Sequence, residues 1–188
     1  FTLHTSAFIN INISEMAIMG GSMIEPVSPN IHQRLLALLD NQQARYRVME
    51  HDAVGKCEAV SALRGTALGQ GAKALVCKVK GNGVNLHVLA ILAADQQADL
   101  SRLAQHIGGL KASLASPAEV EALTACVFGA IPPFSFHRAL RLIADPLLFE
   151  RFDEIAFNAG SLEKSVILNT ADYLRIAQPE LVAFRRQS

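Results

Sequence analysis

The chain has 188 residues, of which 51% are apolar and 18% charged, a composition that excludes a disordered or fibrous chain and suits one domain with a sizeable core. Lys and Arg together number 17 and Asp and Glu together 17, so no global field draws in nucleic acid or an anionic membrane, and any such contact must come from a local patch. No apolar run approaches the length of a bilayer span, and no membrane partner is expected.

The opening stretch, FTLHTSAFININISEMAIMGGSMIEP, has no basic n-region and no A-x-A cleavage signal, so a secretory signal is not expected. Met16, Met19 and Met23 are candidate internal starts. Residues 1–26 read as a peripheral N-terminal extension and 27–188 as the domain. SPNIHQRLLALLDNQ opens a helix with Ser28 as cap, Pro29 in the first turn, and Ile31, Leu35, Leu38 and Leu39 as its apolar stripe. RYRVMEH alternates as a strand. KCEAVSALRG reads as a short helix ended by Gly65, and GTALGQGA as a glycine-rich loop. KALVCKVK and VNLHVLAIL are strands joined by a tight Asn82-Gly83 turn, the second apolar on both faces and therefore central.

DQQADLSRLAQHIGG reads as an amphipathic helix closed by Gly108 and Gly109. SPAEVEAL carries a capping box, Ser116 with Glu119, and a proline at the first helical position. ACVFGAIPPFSF reads as a short strand running into a Gly-Pro loop, and ALRLIADP as a further strand. EIAFNAGSLEKSVILNT reads as strand, turn, strand, TADYLRIA as a capped helix, and PELVAF as a final turn of helix. The pattern predicts an α/β (mixed α+β) fold: one compact domain with a mixed, mostly antiparallel sheet flanked by helices.

Cys57, Cys77 and Cys126 form no CxxC pair, which suits buried thiols in a reducing cytosol. The six histidines form no HExxH or similar pair, and no metal site or cofactor is expected. The most informative residue is Lys73. Strand alternation sets it in register with Leu75, Cys77 and Val79, away from Lys78 and Lys80, so its ammonium points inward and needs an anionic or polar partner. The alternative, favoured by pattern alone, is an edge lysine whose stem packs while its head reaches water.

FGAIPPF, residues 128–134, couples a permissive glycine to two stiff prolines, and its free N–H groups can hold a carbonyl or an oxyanion. The alternative is an ordinary turn. FNAG, residues 157–160, sets polar Asn158 between apolar neighbours at a strand end, facing a cleft or forming a β-turn. The glycines before Lys73 lack phosphate-loop spacing and precede a strand. No Ser/His/Asp order can be assigned.

Taken together, GAKAL with its lysine, the GxxxP loop (Gly129 to Pro133) followed by Phe134, and FNAG resemble the YbaK/ProX aminoacyl-tRNA editing domains, most nearly the free-standing YeaK-like branch, over residues 28–184. The resemblance implies trans-acting hydrolysis of the ester that joins a wrong amino acid to tRNA. The partners it implies are the aminoacylated 3′ end of a tRNA and an aminoacyl-tRNA synthetase. It casts Lys73 and Gly129 as catalytic, and Ala130, Ile131, Pro132, Pro133, Phe134, Phe157, Asn158, Ala159 and Gly160 as the substrate-binding set. Lys73 would contact the 3′-terminal nucleotide or the ester carbonyl. Water, aided by a ribose hydroxyl, would be the attacker.

Alanine-specific members carry Phe-His-Pro where this chain has Phe157, Asn158 and Ala159. Serine and threonine therefore become the first expectation, with cysteine and alanine as alternatives. Arg138, Arg141, Arg151, Arg185 and Arg186 are candidate phosphate contacts. A binding module that holds a nucleotide or aminoacyl derivative without hydrolysis, or a hydrolase of other aminoacyl esters, remains open.

Overall fold

The structure is a computed structural model that describes residues 30–54 and 56–187. The expected N-terminal extension, Ser28 and Pro29 lie outside those residues. The first described helix, α1 (Ile31–Asn41), takes its cap from Asn30, whose side chain accepts from Gln33 N while the Gln33 side chain reaches back to Asn30 N. The capping box therefore sits two residues further on than Ser28.

The remaining elements are β1 (Tyr46–Glu50), α2 (Cys57–Arg64), β2 (Ala72–Gly81), β3 (Val84–Ala93), α3 (Leu100–Ile107), β4 (Lys111–Leu114), α4 (Pro117–Thr124), β5 (Leu140–Ala144), α5 (Leu147–Glu150), β6 (Glu154–Ser161), β7 (Lys164–Asn169), α6 (Thr170–Ala177) and β8 (Glu180–Leu181). The strands form two sheets, not one. A three-stranded antiparallel sheet runs β1-β7-β6, and a five-stranded mixed sheet runs β4-β2-β3-β5-β8. In the second, β2 pairs antiparallel with β3 and β4, while β3–β5 and β5–β8 are parallel.

Strand β3 is central, as its two apolar faces require. Leu89, Ile91 and Ala93 enter one core with α1, Phe134, Phe157 and Tyr173. Val88, Ala90 and Leu92 enter a second core with Leu103, Ala104 and Phe184. The turn before it carries positive φ at Asn82 (53°) and Gly83 (77°), the two-residue geometry that matches strand twist.

Several expectations change. Residues 125–136 contain no strand: α4 ends on Ala125 at φ 53° and the chain continues as a loop. PELVAF contributes β8 to the sheet edge instead of a helical turn. Helix α3 begins at Leu100, where Asp99 accepts from Arg102 N; residues 94–96 ahead of it form a turn, and Ala98 makes an isolated bridge with Arg185. The short β4 and α5 carry no pattern long enough to read from sequence. Among the described residues, no helix is long and apolar enough to cross a membrane. The three cysteines are free, and burial pushes the Cys77 thiol up to about 12.

One carboxylate joins the segment ahead of β1 to α6. Asp172 in α6 accepts from Arg45 N (2.8 Å) and Arg45 Nε (2.9 Å), just before β1. These bonds hold its carboxyl down at about 2, chiefly through the Arg45 side chain. A depressed value adds stability that is complete above the unfolded value near pH 4 and is lost as pH falls towards 2. Thermal melts across that range should show a shallower acid decline in Asp172→Asn than in the wild type, with a lower melting temperature at neutral pH.

Candidate functional site

Gly71 and Ala156 form an isolated parallel bridge, the point where the two sheets touch. Beyond it β2 and β6 run the same way without pairing, so they open a fork. Lys73 lies two residues past the bridge on β2 and Asn158 two residues past it on β6, hence on one common face. The opposite face carries Ala72 and Val76 from β2 and Phe157 and Ala159 from β6 into the first core. Sequence alternation put Lys73 with Leu75, Cys77 and Val79, and these three do pack on the second core. The ammonium is half-buried and donates to the Gln96 carbonyl at 2.6 Å, which leaves donor capacity for a ligand.

Glycines let the chain close up before this point. A Cβ at Gly69 would lie 2.9 Å from both Arg151 Nη2 and Asp95 Oδ2, an ion pair packed over it. That close approach is why the stretch before Lys73 is glycine-rich without any phosphate-loop role.

The 127–134 loop sits against β6, and three of its carbonyls are tied to the scaffold. Gly129 O accepts from Asn158 Nδ2 (2.8 Å), Ala130 O from Gly160 N (2.9 Å), and Pro133 O from the buried Tyr173 hydroxyl (2.7 Å). Asn158 belongs to β6 beside a bulge, not to a β-turn. In a trans peptide the N–H points away from its C=O. With Ala130 O turned to β6, the Ile131 N–H is directed away from it. Pro132 and Pro133 have no N–H, and Ala130 N donates to Val127 O (3.1 Å). The N–H groups of Val127, Phe128, Gly129, Ile131 and Phe134 have no acceptor among the described residues; those of Gly129 and Ile131 flank the Ala130 carbonyl that β6 holds.

The other predicted binding residues serve as its support. Ala130, Ile131, Phe134, Phe157 and Ala159 are buried core residues, and Pro132 and Pro133 are also buried. Phe134 meets Phe157 and Tyr173 edge to face, with centroids 6.0 and 5.1 Å apart. A cavity of about 10 Å³, room for about one water, lies between Ile31, Leu123, Ile131 and Phe134 on the core side of the loop. The side chains thus hold the loop, and its backbone faces the fork.

Sequence reasoning missed three polar residues behind Asn158. Arg64, at the end of α2, is buried and donates from Nε to Ser165 Oγ (2.8 Å) and from Nη2 to Asn158 Oδ1 (2.9 Å). His51 Nδ1 lies 2.9 Å from Asp52 O, so it carries the proton and leaves Nε2 to accept from Ser165 Oγ at 2.7 Å. Ser165 resembles a base-activated nucleophile, but it is 0% exposed and its hydroxyl is already engaged on both sides, so no substrate carbonyl meets it. A lone serine in the apolar run KSVILN was the available signal.

The candidate phosphate contacts are largely committed within the chain. Arg141 pairs with Glu180, Arg151 with Asp95 and Arg185 with Asp145, and Arg186 reaches Gln97. Among the described residues no group of three His, Cys, Asp or Glu side chains is placed to hold a metal ion.

Gly160 has φ 78°, and a Cβ there would lie 2.9 Å from His32 N in α1. Gly160→Ala should therefore cost about 2–4 kcal/mol by denaturant unfolding, combining left-handed strain with a backbone clash. Gly83→Ala, at φ 77° with nothing within 4 Å, should cost only about 1 kcal/mol.

The family model of the aminoacyl-tRNA editing domain matches residues 51–176. The chain is 83% identical over 155 residues to the multifunctional Ser/Thr-tRNA deacylase ProXp-y of Escherichia coli (strain K12), covering 82% of this chain and 93% of that protein. The same protein from Escherichia coli O157:H7 matches equally. A crystal structure of a protein described as a trans-editing enzyme for prolyl-tRNA synthetase superposes with TM-score 0.71 at 21% identity, covering 86% of this chain and 99% of that one. A crystal structure of a hypothetical protein superposes with TM-score 0.72 at 14% identity, covering 81% of this chain and 99% of that one. Both share the fold.

Proposed function

The chain belongs to the aminoacyl-tRNA editing domain family, and on that premise we propose that it hydrolyses mischarged aminoacyl-tRNA in trans, with serine and threonine esters as its first substrates. The observation that carries the reading is the 83% identity to a Ser/Thr-tRNA deacylase over nearly the whole of that protein. Asn158 supports it. The amide that occupies the position of the alanine branch's histidine also holds the Gly129 carbonyl, so the side chain that differs between branches is built into the loop.

In the proposed reaction, water adds to the ester carbonyl and the carbonyl π electrons move onto oxygen. The Gly129 and Ile131 N–H groups and the Lys73 ammonium stabilise that oxyanion. Collapse breaks the bond to the ribose oxygen, which takes up the proton lost by water, and leaves free amino acid and tRNA. With no hydroxyl or thiol nucleophile placed at the fork among the described residues, water oriented by the neighbouring ribose hydroxyl is the nucleophile, and positioning supplies much of the rate. Discrimination rests on fit and on hydrogen bonds to the amino-acid side chain.

The aminoacylated 3′ end is then the partner, and the cytoplasm the place of action. The balanced net charge and the paired arginines favour weak, salt-sensitive tRNA binding. Association with a synthetase remains a proposal, suggested by the name of one structural neighbour.

Deacylation assays with Ser-, Thr-, Ala- and Cys-tRNA test this. Release of serine and threonine, reduced about 100-fold or more in Lys73→Ala, is the expected outcome. Release untouched by that substitution would remove Lys73 from the chemistry. Saturable binding with no release would favour the non-catalytic module.

A further inference from the structure

Arg64 is 7% exposed and takes part in no ion pair among the described residues. Its two hydrogen bonds both go to neutral side chains, Ser165 and Asn158. Burying a guanidinium without a carboxylate is costly, so the placement calls for a reason beyond packing. Burial pushes it down only to about 10, so it stays charged at neutral pH.

We infer that Arg64 is a positioning residue for the reaction: by holding Asn158 Oδ1 it turns Asn158 Nδ2 onto the Gly129 carbonyl and so keeps the loop's open N–H groups facing the substrate ester. This rests on the deacylase reading above. A carboxamide has an accepting end and a donating end, and a half-turn about its last bond exchanges them. A guanidinium can only donate, so the end facing Nη2 at 2.9 Å must be oxygen. The nitrogen end is then fixed 2.8 Å from Gly129 O. The opposite orientation would set oxygen against oxygen and release the loop at the residue whose N–H is a proposed oxyanion donor.

The rigid fork of the guanidinium matters here. Nε and Nη2 engage Ser165 and Asn158, neighbours across the β6–β7 ladder, at the same time. A lysine ammonium is a point donor on a flexible stem and cannot reproduce the pair. Aspartate at 158 would satisfy Arg64 but present an acceptor to Gly129 O.

The test compares wild type, Arg64→Met, Arg64→Lys, Asn158→Ala and the Arg64→Met/Asn158→Ala double variant. The readouts are kcat and KM for Ser-tRNA, thermal melting, and exchange of the Asn158 side-chain amide protons. Arg64→Met should lower kcat about 10- to 100-fold with little change in KM, because misplacement acts on the transition state. Lysine should not restore the rate. The double variant should lose no more than the worse single one, since both act through the same bond. Amide exchange at Asn158 should speed up in Arg64→Met, a readout that does not depend on activity.

Folded Arg64→Met with wild-type kcat, or losses that multiply in the double variant, would overturn the inference while leaving the deacylase reading intact. If Arg64→Met does not fold, a fully active Arg64→Lys would overturn it equally. A wild-type protein that releases no amino acid would overturn the deacylase reading and this role with it.

Discussion

The bridge between Gly71 and Ala156 ties a three-stranded sheet to a five-stranded one at a single pair of residues. That limited contact makes the site possible. Longer pairing would merge the sheets and leave no room at their junction. No pairing would let them drift, and the positions of Lys73 and Asn158 would not be tied to one another. The shared core, with Leu89 and Ile91 from one sheet and Phe157 and Val166 from the other, keeps the fork at a fixed opening. Its interior packing resists small shifts, as close-packed cores do.

The 127–134 loop fits that fork because of what it lacks. Its prolines give up two N–H groups, and its Gly129, Ala130 and Pro133 carbonyls are taken by Asn158, Gly160 and Tyr173. On the proposed reading, the Gly129 and Ile131 N–H groups are the donors turned to the substrate. A loop that met substrate with carbonyls would repel the charge that builds on an ester oxygen. Here the polarity follows from which backbone groups are already satisfied, and the apolar side chains of Ile131 and Phe134 act as anchors in the core.

Much of the fold was legible because it follows local rules. The alternation of β2, the apolar β3, the Asn82-Gly83 turn and the Ser116–Glu119 box each depend on a few neighbouring residues. The elements that escaped are governed by distant partners. The two-residue β8 exists only because Ile143 and Ala144 offer it an edge. The short strand expected ahead of the Gly-Pro loop is absent, because the apolar residues there serve to anchor a loop. At the site, Lys73, Gly129 and Asn158 could be picked out from sequence, since polarity in an apolar run and a Gly-Pro pattern are visible there. Arg64 and Ser165 could not be paired from sequence: 101 residues separate them, and Arg64 is an ordinary residue at the end of its helix.

The chain of bonds from Arg64 through Asn158 to Gly129 has a bearing on how such a site can change over evolutionary time. On the proposed reading, residue 158 serves two masters, the amino acid it helps choose and the loop it holds. A replacement there that alters substrate preference also hands Arg64 and Ser165 a new partner. A histidine at 158 would meet the buried guanidinium with a group that can itself carry charge. Drift at this position is therefore constrained by epistasis: neutral single steps are few, and a new preference is most readily reached when positions 64, 158 and 165 change as a set.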